Sequence, residues 1–362
     1  MTDFDDLEEV EVVEGAEAET PSNSTLYAVA GESMEQIIKV YLELAKETEG
    51  FNKLKIDDLD VVTKKRIILG GIGSPLDPET TSAQEVLDEW TRMQSIPFSV
   101  EDSVTKGVYL SLRERVEVLL EQMQTATTNF TNFDEDYIYH HSYLLPVFQR
   151  LLNASSKSKL KTLVGNVSDN SISKPASKRI AAILNRLKPG RAVTLSDLKL
   201  SIEPTLEGIV RDLVGRVLLE NVVANALDGA GVKYKRESEY SAIKGVVYDF
   251  RADFVMPDEL RPLVFIEVRK SSSRHASLYA KDKMFSAINW KGQNKELMAI
   301  LVTEGPWTEQ TLKTMTKVFD YVVPLRKAPE IAEIVSAYLK GDKSKLRLLI
   351  DFAVKPTQVA TP

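Results

Sequence analysis

Regular hydrophobic patterns are concentrated between residues 204 and 325. Residues 205–227 place Leu206, Ile209, Val210, Leu213, Val217, Ala224 and Leu227 on one stripe, the spacing of a helix with one buried face. Gly229 and Gly231 are suited to end that helix. A first strand is predicted over 232–240. Two further runs, 246–255 and 263–268, are rich in β-branched and aromatic residues and read as strands around the turn residues Pro257, Asp258 and Glu259. A basic helix (276–290), an apolar strand (297–303), a helix (308–318) and a last strand (319–325) complete an αβββαβαβ order. This order predicts an α/β fold, a mixed β-sheet flanked by helices. Its strand–helix–strand step implies a right-handed crossover between parallel neighbours.

The preceding residues predict a mainly α-helical N-terminal domain. Residues 34–44 and 110–123 both have helical spacing. Residues 155–175 are polar and Ser-rich, as expected of a linker. Residues 176–188 form a basic amphipathic pattern with Ile180, Ile183, Leu184 and Leu187 on one face, and Pro189-Gly190 should stop it. A short helix starts again at 194–198. The pair has a weak outline of a helix-turn-helix, and ordinary bundle packing is the preferred reading. Gly70-Gly71-Ile72-Gly73-Ser74 lacks the Lys-Ser/Thr of a phosphate loop and is followed by Pro75, so it reads as a turn. His140 and His141 are adjacent, so they cannot both face one metal, and they read as packing or surface residues. The expected organisation is an acidic disordered tail (1–24), a helical domain (25–200), an α/β domain (201–338) and a C-terminal tail (339–362).

Charge changes this picture more than overall composition does. The 362-residue chain carries a net charge of −7. Nine acidic residues and no basic ones lie before residue 25, so the tail accounts for more than the whole excess. Residues 150–199 hold eleven Lys/Arg against Asp169 and Asp197, a block able to neutralise phosphates. With no cysteine, disulfides, thiolate metal sites and Cys catalysis are excluded. Three histidines leave little for a His-rich metal centre. No apolar run approaches the roughly 20 residues of a membrane span, and the acidic start is unlike a signal peptide. A cytoplasmic protein with no membrane partner is expected.

Candidate chemistry sits where polar residues break the apolar patterns. Glu267 lies in the apolar run 263–268, and a buried carboxylate is costly unless a positive charge meets it. Asp253 interrupts the partner run. Pairing of the two strands would bring both carboxylates together, a hard-oxygen site suited to Mg2+. Glu220 falls on the apolar stripe of the long helix, where a charge needs a partner or a role.

A helix Glu, an Asp on the second strand and a Glu-x-Lys on the third, in this element order, mark the PD-(D/E)XK nuclease superfamily, and the chain resembles it, most closely its type II restriction endonucleases. The matching residues are Glu220, Asp253 and Glu267, within about residues 204–325. The resemblance implies an αβββαβ restriction-endonuclease-like core and Mg2+-dependent hydrolysis of double-stranded DNA, usually by a homodimer. Asp253 and Glu267 would hold the metal, and Glu220 would orient water or a second ion. The chain departs from the family at its lysine, which is Arg269 here. Arginine stays protonated and cannot deprotonate water. Three readings stand open: Arg269 supplies only positive charge, Lys281 or Lys283 reaches in from the next helix, or the site is inactive. Lys270, Ser272, Ser273, Arg274, His275, Lys281 and Lys283 are expected to contact DNA near a helix N-terminus. Strand alternation points Lys270 away from the Glu267 side. Two rival readings are a non-catalytic DNA-binding or regulatory protein on this fold, and a repair or anti-phage nuclease without sequence specificity.

Overall fold

The computed structural model describes residues 25–168, 171–187, 193–271 and 276–347. The expected tail 1–24 and residues 348–362 of the C-terminal tail lie outside the described residues, as do Pro189 and Gly190. Among the described residues there are twelve α-helices and one five-stranded mixed sheet, so the chain is α/β. None of these helices is long and apolar enough to cross a membrane.

The helices before the sheet are α1 (Leu26–Glu47), α2 (Val62–Gly71), α3 (Ala83–Arg92), α4 (Val100–Ala126), α5 (Glu135–His140), α6 (Leu145–Leu151), α7 (Lys157–Val164), α8 (Lys174–Arg186) and α9 (Leu195–Gly229). Then come β1 (Lys235–Arg236), β2 (Phe254–Met256), β3 (Val264–Lys270), α10 (Ala276–Gln293), β4 (Met298–Glu304), α11 (Glu309–Met315), β5 (Tyr321–Pro324) and α12 (Ala328–Leu339).

The chain forms two compact units. One contains Leu119–Ile202, and the other contains Tyr27–Val118 together with Glu203 onward. Residues 27–118, which the sequence groups with the helical domain, thus pack with the sheet.

In the first unit, Ile138, Phe148, Leu160, Ile180 and Leu184 are buried. The expected face of α8 is buried at Ile180 and Leu184, whereas Leu187 is 51% exposed just past the helix end. Asn185 on α8 closes the Phe133 backbone from both sides, accepting from its N–H at 2.9 Å and donating to its carbonyl at 2.9 Å. The His pair behaves as a packing feature: His141 stacks on Tyr137 with ring centroids 3.9 Å apart. The short helix at 194–198 and the long helix at 205–227 are one helix, α9, which continues through Pro204.

In the second unit the strand order is β1-β2-β3-β4-β5. β1, β2 and β3 are antiparallel neighbours; β3, β4 and β5 are parallel. The parallel strands need a connection that returns to the same end of the sheet, and α10 supplies the one between β3 and β4. β3 and β4 are buried on both faces, as their continuous apolar runs require. One face packs Val255, Phe265, Ala299 and Leu301 against Ala287 and Trp290 of α10. Trp290 meets Phe265 edge-on, with ring centroids 4.8 Å apart.

Two expected strands are much shorter than their sequence patterns. The 232–240 run is paired strand only at β1, and Glu237–Glu239 forms a 3-10 turn. The 246–255 run is strand only in β2. Its first half is held by Asn289 of α10, whose side chain accepts from Val247 N at 2.7 Å and donates to Tyr248 O at 2.8 Å. Val247 is 61% and Phe250 50% exposed, and the half is bridged to the preceding segment only where Phe250 pairs with Ile243. Gly245 is required there, since a Cβ would lie 1.9 Å from the Asn289 amide nitrogen.

Candidate active site

The site forms where β2 and β3 approach the N-terminal half of α10. β2 pairs with β3 so that Phe254 faces Ile266. One step further along the same register, Asp253 comes opposite Glu267. Asp253 Oδ2 accepts a 2.6 Å hydrogen bond from the Val268 N–H. Tyr240 fixes the approach to Asp253, with its hydroxyl donating to Ala252 O at 2.7 Å and accepting from Ala252 N at 2.6 Å. Both carboxylates are buried, Asp253 at 4% and Glu267 at 0% exposure. Their convergence is the arrangement expected from the sequence.

Positive charge meets them from two elements. Arg269, two positions beyond Glu267 on β3, lies on the same strand face. Its guanidinium donates to Asp253 Oδ2 at 2.8 Å, to Glu267 Oε2 at 2.8 Å and to the Val268 carbonyl at 2.7 Å. Lys283 arrives from α10, with Nζ 3.1 Å from Glu267 Oε2. Helix phase explains why it is Lys283 and not Lys281. Lys283 precedes Trp290 by seven positions, two turns of one stripe and about 10.5 Å of helix. Trp290 is anchored on Phe265, and Glu267 lies two residues along the strand. Lys281 falls off this stripe and is exposed.

The electrostatics are not balanced. Burial, with Asp253 alongside, pushes Glu267 up to about 8 against the pull of Arg269 and Lys283. Burial opposes the charge on Arg269, but Glu267 and Asp253 outweigh it and hold its pKa above the ordinary value. Glu220, half-buried on α9, is also raised, by burial first and by Asp253 second, with Arg236 and Arg269 acting the other way. This mutual influence puts Glu220 in the same electrostatic neighbourhood as the pair.

Lys270 stands on the other side of β3, as alternation predicts. It pairs with Glu101 and lines a cleft of about 910 Å3 together with Glu304, Trp307 and Arg326, where neither carboxylate of the pair is found. Ser272, Ser273, Arg274 and His275 lie outside the described residues.

A polar network next to Glu220 on α9 has no full signature in the sequence. Arg236 donates to Asn221 Oδ1 at 2.8 Å, and Asn221 and Asn225 both donate to Glu35 at 2.7 and 2.6 Å. Asn221 and Asn225 sit one helical turn apart on α9, a spacing visible in the sequence. Nothing in the sequence joins them to Glu35 or Arg236.

The donor set fits a divalent cation of the Mg2+ type. Asp253, Glu267 and the Val268 carbonyl offer hard oxygens. Among the described residues no group of three or more His, Cys, Asp or Glu is placed to hold a metal. A Mg2+ ion here would take its remaining ligands from water and phosphate, its usual habit. No protein-family model, curated protein or solved structure matches this chain.

Proposed function

We propose that the chain is a Mg2+-dependent endonuclease that hydrolyses double-stranded DNA at a specific sequence, in the manner of a type II restriction enzyme. The observation that carries the reading is the meeting of Asp253 and Glu267 on paired strands, with Arg269 and Lys283 within bonding distance. In this reading Asp253 and Glu267 hold the ion, and Glu220 orients the attacking water or a second ion. A bound Mg2+ supplies Lewis acidity at the phosphate and makes its water more acidic. Arg269 and Lys283 contribute positive charge for the phosphate oxygens as negative charge grows there.

Lys283 supports this reading against the family's missing strand lysine. A lysine amine 3.1 Å from Glu267 comes from the helix, where position 269 of the strand carries arginine instead. The basic block at 150–199 and the N-terminal helices would grip and read DNA. Lys270, Ser272, Ser273, Arg274, His275 and Lys281 remain candidates for backbone contacts. A homodimer would bring one site to each strand, and the cytoplasm is the setting that suits this substrate.

The test is incubation of supercoiled plasmid with Mg2+. Fixed fragments support the restriction reading. A smear would replace it with a general nuclease, and an uncut plasmid that still binds the protein would replace it with a DNA-binding protein.

A further inference from the structure

Arg269 stands in the position a divalent cation would need. One guanidinium contacts three oxygens: Asp253 Oδ2 at 2.8 Å, Glu267 Oε2 at 2.8 Å and Val268 O at 2.7 Å. The first two belong to the carboxylates that the proposed function assigns to the metal. We propose that Arg269 is a resident cation that closes the carboxylate pair to divalent ions until a DNA phosphate draws it away. This rests on the reading of Asp253 and Glu267 as metal-binding residues.

The geometry indicates which partner moves. Asp253 Oδ2 is also tied to the Val268 N–H at 2.6 Å, so its carboxylate cannot turn away without breaking a buried bond. Glu267 is fully buried and has no solvent to turn towards. The Arg269 side chain is 27% exposed, on a flexible stem, and can swing outward. A metal beside an unmoved guanidinium would face a positive charge at contact distance in a dry site. A phosphate offers the guanidinium the same two-pronged partner as a carboxylate. Lys283 stays on Glu267 through the exchange, so that carboxylate is not left alone. Metal and DNA therefore favour each other's binding, and linkage makes the effect reciprocal.

The experiment is titration with Mn2+, following the free ion by electron paramagnetic resonance, for wild type, Arg269→Gln and Asp253→Asn. Circular dichroism checks each fold, and Arg269→Lys, too short to span all three oxygens, replaces Arg269→Gln should that variant not fold. Arg269→Gln is expected to bind Mn2+ at least tenfold more tightly than wild type, and Asp253→Asn to lose binding. A short DNA duplex, its own Mn2+ uptake subtracted, should raise wild-type affinity at least tenfold and leave Arg269→Gln nearly unchanged. Equal Mn2+ affinities for wild type and Arg269→Gln would overturn the gate and leave the metal site standing. No Mn2+ bound by either protein, with or without duplex, would remove the metal site and the gate together.

Discussion

Lys291→Met should strongly destabilise the sheet-bearing unit. Lys291 is on α10, beside Trp290, and pairs with Asp320, the residue just before β5. Both side chains have 0% exposure. Asp320 Oδ2 also accepts from the Ala299 N–H at 2.8 Å, so this carboxylate joins α10, β4 and β5. Methionine fills much of the lysine volume, which isolates the loss of charge from the loss of packing. Removing one member of a buried pair costs about 3–5 kcal/mol, because the remaining charge keeps its desolvation penalty. Against a usual total of about 5–15 kcal/mol, that is a large share. Lys291→Met/Asp320→Asn should recover at least about 2 kcal/mol of the loss, since asparagine is neutral and still accepts from Ala299. Equilibrium urea unfolding followed by tryptophan fluorescence measures both, with Trp290 buried next to the change. A single variant within about 1 kcal/mol of wild type, or a double variant weaker than the single, would refute the reasoning. The pair also matters for the site, because it fixes the helix that brings Lys283 to Glu267.

Other outcomes follow from the same geometry. Lys283→Met should slow single-turnover cleavage by about 10²–10³-fold, the usual effect of losing one transition-state charge stabiliser. Lys281→Ala and Lys270→Ala should each change it only a few-fold, because neither residue reaches the carboxylates. DNA affinity should fall steeply between low and moderate salt, and neutralising Lys178 and Arg179 in the basic block should flatten that slope in filter-binding assays. Burial raises the Glu304 carboxyl, with the Val100 N–H, Arg326 and Lys270 pulling it down. The folded state therefore keeps this proton to higher pH than the unfolded chain. Its contribution to stability is greatest below the unfolded value of 4.5 and is lost as pH rises from there through the folded pKa. Urea midpoints of Glu304→Gln should consequently decline less than those of wild type across that window, and parallel curves would count against it.

The parts of the site carried by one element were legible in the sequence. Glu267 stood out as a charge in an apolar run, and strand alternation separated Arg269 from Lys270 correctly. Asp253 was found by its pairing with that strand. The parts that depend on a second element were not legible. The run 246–255 looks like a full strand, yet Asn289, some forty residues later, captures its first half. The choice of Lys283 over Lys281 depends on the phase that Trp290 sets against Phe265. The placement of residues 27–118 with the sheet rests on contacts between distant segments, such as Glu35 with Asn221 and Asn225, which no local pattern encodes.

The most direct measurement is Mg2+-dependent cleavage of plasmid DNA by wild type, Asp253→Ala and Glu267→Ala, each first shown to be folded and to bind DNA. Wild type should cut to fixed fragments, EDTA should stop it, and both variants should be inactive while retaining DNA binding. Near-normal turnover by either variant would contradict the assignment of the Asp253–Glu267 pair as the catalytic metal site.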